Sequence, residues 1–85
     1  MTMAPSPKMS FVSRIREATP GFHPSELRLA EAILHFPGQI ASYTATELAQ
    51  MAGVSNATVT RFVRKIGFTS FEAARQAVRA EQMAG

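Results

Sequence analysis

The stretch TELAQMAGVSNATVTRFVRKIGF, residues 46–68, limits what this chain can fold into more than any other. Two segments with helical apolar spacing flank a single glycine, Gly53. Leu48 and Ala52 form the inner face of the first. Val59, Phe62 and Ile66, at i, i+3 and i+7 with Val63 beside them, form the inner face of the second. Ala49 is the small residue that a close helix crossing needs, and Val54 plugs the corner. Glycine takes a positive φ without steric cost, so Gly53 stands where the chain can turn sharply. Two helices joined by a short turn containing glycine make a helix-turn-helix unit.

Start and stop signals extend this reading in both directions. Thr44 and Glu47 have capping-box spacing, which predicts a helix over about 45–51. Ser55 caps the next helix, which runs to about residue 66 and is ended by Gly67. Thr69 or Ser70 caps a last helix with Phe71, Ala74 and Val78 on its apolar side. Upstream, Ser10 precedes Phe11, Val12, Ile15 and Ala18, a short helix ending before the TPG of 19–21. Pro24 suits a first helical position, with His23 as cap, Glu26 in capping-box position, and Phe22 and Leu27 spaced for a hydrophobic staple. Leu27, Ala30, Ile33 and Leu34 predict the core stripe of that helix; Arg28, Glu31 and His35 form a polar one, and Leu29 and Phe36 fall outside the core stripe. Pro37 and Gly38 stop it, and residues 38–43 predict a single helical turn. Residues 1–9, with Pro5 and Pro7, read as a flexible tail and 10–83 as one domain. With no β alternation and no repeat, the expected fold is all-α: a helix-turn-helix three-helix core with additional N-terminal helices, about five helices in all.

Charge locates the candidate function. Residues 55–68 hold Arg61, Arg64 and Lys65 and no acidic residue, whereas the six other basic residues face six glutamates, so the net charge of +3 sits in one segment. A local basic surface suits a polyanion. With Val59, Phe62 and Ile66 inward, the outward residues are Ser55, Asn56, Ala57, Thr60, Arg61 and Arg64. An α-helix fits the major groove of duplex DNA. Asn56 can pair with adenine and Arg61 with guanine in two places each, and Ala57 and Thr60 can offer methyls to thymine. Ser55, Thr58, Arg64 and Lys65 suit phosphate contacts, which position a protein without reading sequence. The expected partner is double-stranded DNA. The alternative is a helical interaction module whose basic helix binds an acidic partner protein.

Other chemistry finds little support. There is no cysteine, which is compatible with a reducing cytoplasm, the expected location. No apolar run approaches the roughly 18 residues that a membrane span needs. His23 and His35, twelve residues apart, have no Asp or Cys nearby, and no Gly-rich phosphate loop, paired-carboxylate cleft or nucleophile triad is present. The expectation is a non-enzyme with no metal and no cofactor. Leu29 and Phe36, seven residues apart and apolar, predict weak self-association through the first two helices; cover within a single chain is the alternative.

Residues 22–78 resemble the N-terminal domain of RpiR-type transcriptional regulators. The marks are PSE followed by AEAIL, then ELAQMAGVSNATVTRFVRKIGF, then SFEAARQAV. The resemblance implies a recognition helix over 55–66. It implies a dimeric or larger regulator of sugar-catabolism genes in which a separate C-terminal sugar isomerase-type domain binds a phosphosugar effector. His23 and Val63 depart from the family's frequent Thr and Cys. No effector domain fits within 85 residues, so the chain is expected to be a fragment of a longer regulator.

Overall fold

The computed structural model describes residues 10–84; the expected tail lies outside them. Among the described residues, five α-helices and two 3₁₀ turns follow one another with no strand. Helix α1 spans Phe11–Ala18, with Ser10 Oγ accepting from the Ser13 amide at 3.1 Å. Its first N–H, on Phe11, finds a distant partner and donates to Glu81 Oε2 at 2.7 Å. Thr19–Gly21 make a 3₁₀ turn into α2, Pro24–His35, and Pro37–Ser42 a second one. The motif follows as α3, Ala45–Ala52, and α4, Asn56–Lys65; α5 spans Phe71–Ala84.

The caps around the motif are those its residues require. Thr44 Oγ1 accepts from the Glu47 amide at 3.1 Å, and Glu47 Oε1 accepts from the Thr44 amide at 2.9 Å. Gly53 is left-handed, with φ 73°, and the Val54 amide closes back onto Ala49 O at 2.9 Å. Ser55 Oγ accepts from the Thr58 amide, and Gly67, also at positive φ, ends the motif. Of the two candidate caps for α5, Ser70 is the one used: its Oγ accepts from the Ala73 amide at 3.1 Å. A Cβ at Gly53 would meet no atom within 4 Å, so substitution there costs backbone conformation first. Gly53→Val is expected to lose about 2 kcal/mol, the penalty of left-handed backbone raised by β-branching, and Gly53→Asn much less. Thermal melts check this: a domain of this size should drop by about 10 °C in the Val variant, and an unchanged midpoint contradicts it.

Helix α2 packs against α3, α4 and the second 3₁₀ turn, and its buried residues are Glu26, Leu29, Ala30 and Ile33. This corrects the expected stripe by about one residue. Leu29, expected outside it, is fully buried, whereas Leu27 is 40% exposed. Phe22 turns its ring onto Phe62, centroids 5.0 Å apart, rather than being held by a buried Leu27. The stripe keeps its helical period, but a glutamate stands at its head. Leu29 is covered within the single chain, as the alternative expected, whereas Phe36 is exposed.

The remaining elements brace the motif. Arg14 of α1 donates from Nη1 to Ile66 O at 3.2 Å, at the C-terminal end of α4, and lies over the Phe68 ring. Arg75 and Arg79 of α5 both donate to Ala41 O in the second 3₁₀ turn, and Gln82 Nε2 donates to Gly38 O. Val59, Phe62, Val63 and Ile66 meet Phe11, Ile15, Leu29 and Leu48 in one core.

Candidate nucleic-acid interface

Helix α4 is amphipathic because its two faces come from different residue types at one period. Val59, Phe62, Val63 and Ile66 are buried, which leaves Ser55, Asn56, Ala57, Thr60, Arg61 and Arg64 exposed. The first turn of α4 carries no acidic residue, so nothing there offsets the positive end of the helix dipole. Asn56 is not loose: its Nδ2 donates to Thr46 Oγ1 of α3 at 3.0 Å. Thr60 Oγ1 donates to Asn56 O at 3.4 Å. Arg64 is exposed and forms no ion pair among the described residues.

Two of the eight expected contact residues are placed differently. Thr58 is only 4% exposed. Its hydroxyl lies 3.1 Å from Ser55 Oγ and accepts from Arg61 Nη2 at 3.3 Å, so it faces the fold and not the open surface. Threonine at a half-polar position gives no sequence signal for which way its hydroxyl turns. Lys65 is engaged from below: Nζ donates to Glu26 Oε1 at 2.7 Å and to Gly21 O at 2.9 Å. The basic segment is therefore less uncompensated in space than along the chain, because α2 brings one glutamate under it.

Glu26 is the residue that sequence reasoning used only as a cap. It keeps that role, with Oε1 accepting from the His23 amide at 2.8 Å. It is also completely buried, and its Oε2 has no hydrogen-bond partner, only the Arg61 Nε at 3.5 Å. Burial pushes its carboxyl upward, but the Lys65 ammonium and the His23 amide outweigh this and hold it below its ordinary value. Thr46 was also missed. Its sole signal is position, in the first turn of the helix preceding the corner, beside the start of α4. Among the described residues no cluster of three or more His, Cys, Asp or Glu could hold a metal, and no helix is long and apolar enough to cross a membrane.

Comparison with known proteins agrees with the helix-turn-helix fold. Residues 9–84 match the family model of the rpiR-family helix-turn-helix domain. The chain is 38% identical over 58 residues, 68% of its length, to an uncharacterized HTH-type transcriptional regulator, TTE0211, of Caldanaerobacter subterraneus subsp. tengcongensis. It is 35% identical over 65 residues, 75% of its length, to an uncharacterized HTH-type transcriptional regulator of Thermotoga maritima. It is 33% identical over 70 residues, 82% of its length, to the uncharacterized HTH-type transcriptional regulator YfhH of Escherichia coli. These matches cover 21%, 23% and 25% of the relatives, so the chain spans a quarter or less of each.

Proposed function

The chain belongs to the rpiR family of helix-turn-helix domains, and from that premise we propose that it is the sequence-specific DNA-binding part of a bacterial transcriptional regulator of sugar or sugar-phosphate metabolism genes. The observation that carries this reading is the exposed, acid-free face of α4, with Asn56, Thr60, Arg61 and Arg64 outward while the opposite face is buried. Such a helix fits the major groove with its N-terminal residues nearest the base edges. In this reading Asn56 and Arg61 read bases. Ser55 and Arg64 take phosphates, and Ala57 and Thr60 give apolar contact. A single unit reads few base pairs, so two copies on a two-fold operator, with half-sites about one helical turn apart, supply useful specificity. The phosphosugar effector belongs to a separate domain of the whole regulator.

Arg61→Ala and Arg64→Ala separate the two kinds of contact. Arg61→Ala is expected to weaken operator binding by about 1–3 kcal/mol and to relax preference at one base pair. Arg64→Ala is expected to weaken all duplexes alike and to lower the salt slope by about one unit. Titrations of both variants against an operator panel at several salt concentrations check this. Identical profiles contradict the division of roles. Binding to acidic protein but to no duplex contradicts DNA binding itself.

A further inference from the structure

The guanidinium of Arg61 is held along one edge before any ligand arrives. A guanidinium has five donors in a planar fork. Here Nε lies 3.5 Å from Glu26 Oε2, and Nη2 donates to Thr58 Oγ1 at 3.3 Å. Both partners are buried, and Glu26 is itself fixed by Lys65 and by the His23 amide. The other edge, Nη1 with the second hydrogen of Nη2, meets no partner among the described residues, and the Arg61 side chain is 53% exposed. Such an edge can bond two acceptors side by side, which is what guanine O6 and N7 present in the major groove. The two carboxylate oxygens of Glu26 divide their cations: Lys65 Nζ lies 2.7 Å from Oε1, and Arg61 Nε lies 3.5 Å from the buried Oε2, which has no hydrogen bond of its own.

From this geometry we infer that Glu26, on a helix outside the motif, is a specificity-determining positioning residue. With Thr58 it forms a clamp that aims the free edge of Arg61 at a base pair. The same carboxylate withholds Lys65 from the phosphates. The clamp supplies two effects: it removes side-chain freedom that Arg61 would otherwise lose on binding, and it keeps a second cation from adding sequence-independent affinity. The inference rests on the DNA-binding reading above.

Glu26→Gln keeps the shape and the His23 contact but removes the charge. The salt slope is expected to become steeper, by at most about one unit, as the hold on Lys65 weakens to the neutral amide oxygen and Gly21 O. Affinity for non-operator duplex should rise, and discrimination at the base pair read by Arg61 should fall at least about threefold. Thr58→Val, which removes only the hydroxyl, should reduce the same discrimination without steepening the salt slope. It serves as the test if Glu26→Gln folds poorly. The Arg61 Nε–H resonance of the free protein reads the contact with the carboxylate: its chemical shift is expected to move toward that of a free arginine in Glu26→Gln. Unchanged base preference in both folded variants overturns the inference, as does a uniform loss of affinity that tracks a lowered melting midpoint. A wild type with no salt-dependent duplex binding overturns the DNA-binding reading as well. A wild type that discriminates bases no better than its variants overturns the clamp alone.

Discussion

Lys65→Ala is expected to cost this domain about 3 kcal/mol of folding free energy, far more than the loss of an ordinary surface lysine. Its partner is what sets the figure. Glu26 is completely buried, and Lys65 Nζ, 2.7 Å from Oε1, is the cation that makes its charge tolerable there. Removing one member of a buried pair strands the other. The estimate sits at the low end of the usual range because the Lys65 side chain is 32% exposed and water can replace part of the contact. Urea unfolding at pH 7 checks the size, and a loss under about 1 kcal/mol contradicts it.

Acidification supplies a second check with a definite sign. In wild type the Glu26 carboxyl is held below its ordinary value of 4.5, so its contribution is fully present above that pH and is lost as pH falls through the lower folded value. In the Lys65→Ala protein burial acts with no ammonium to oppose it, and the carboxyl shifts upward. Its penalty is then relieved as pH falls. The stability gap between the two proteins should therefore be widest near neutrality and shrink as pH falls, first above pH 4.5 as the variant's raised carboxyl protonates and then below it as the wild-type carboxyl does. A gap that widens on acidification contradicts the assignment.

Phe62→Ala should have the largest effect of any single truncation in α4, about 3–5 kcal/mol. The Phe62 ring is fully buried and packs on Phe22 of the segment leading into α2. Removal opens a cavity between the motif and α2, and helices braced from several sides cannot collapse to fill it. Total stability for 85 residues is on the order of 4–13 kcal/mol, so this loss is a large share of it and should lower the urea midpoint sharply. Far-UV circular dichroism against urea shows this directly. Phe62→Leu, which keeps most of the volume, should retain a cooperative transition.

The motif was legible because each of its signals is local. Thr44 with Glu47, Gly53, and Ser55 act on neighbours within four residues, and the structure uses each of them. Val59, Phe62 and Ile66 then left one outward face by subtraction. The phase of α2 was not legible. Counting apolar letters puts Leu27 in the stripe and leaves Leu29 out, because Glu26 cannot count as a core residue by its type. It becomes one only through Lys65, 39 residues away, whose ammonium makes the burial affordable. The turned-in hydroxyl of Thr58 and the tie from Asn56 to Thr46 were hidden for a related reason. Each depends on where a second helix lies, and pattern within one helix carries no such information.

The hydrogen bond from the Phe11 amide to Glu81, joining residues 70 apart, has a consequence for how the domain comes undone. A helix as short as α1 would ordinarily fray from its free end, where amides lack partners. Here the fraying end is latched by the last helix, and Arg14 latches the middle of α1 to the end of α4. Helix α1 and the end of α5 therefore hold each other in place. Loosening α1 exposes Phe11 and Ile15 and breaks the Arg14 contact with Ile66 at the end of α4 in the same event. The domain should thus melt as one unit with a single transition, and lesions near either end will weaken the presentation of α4 although they lie outside the motif.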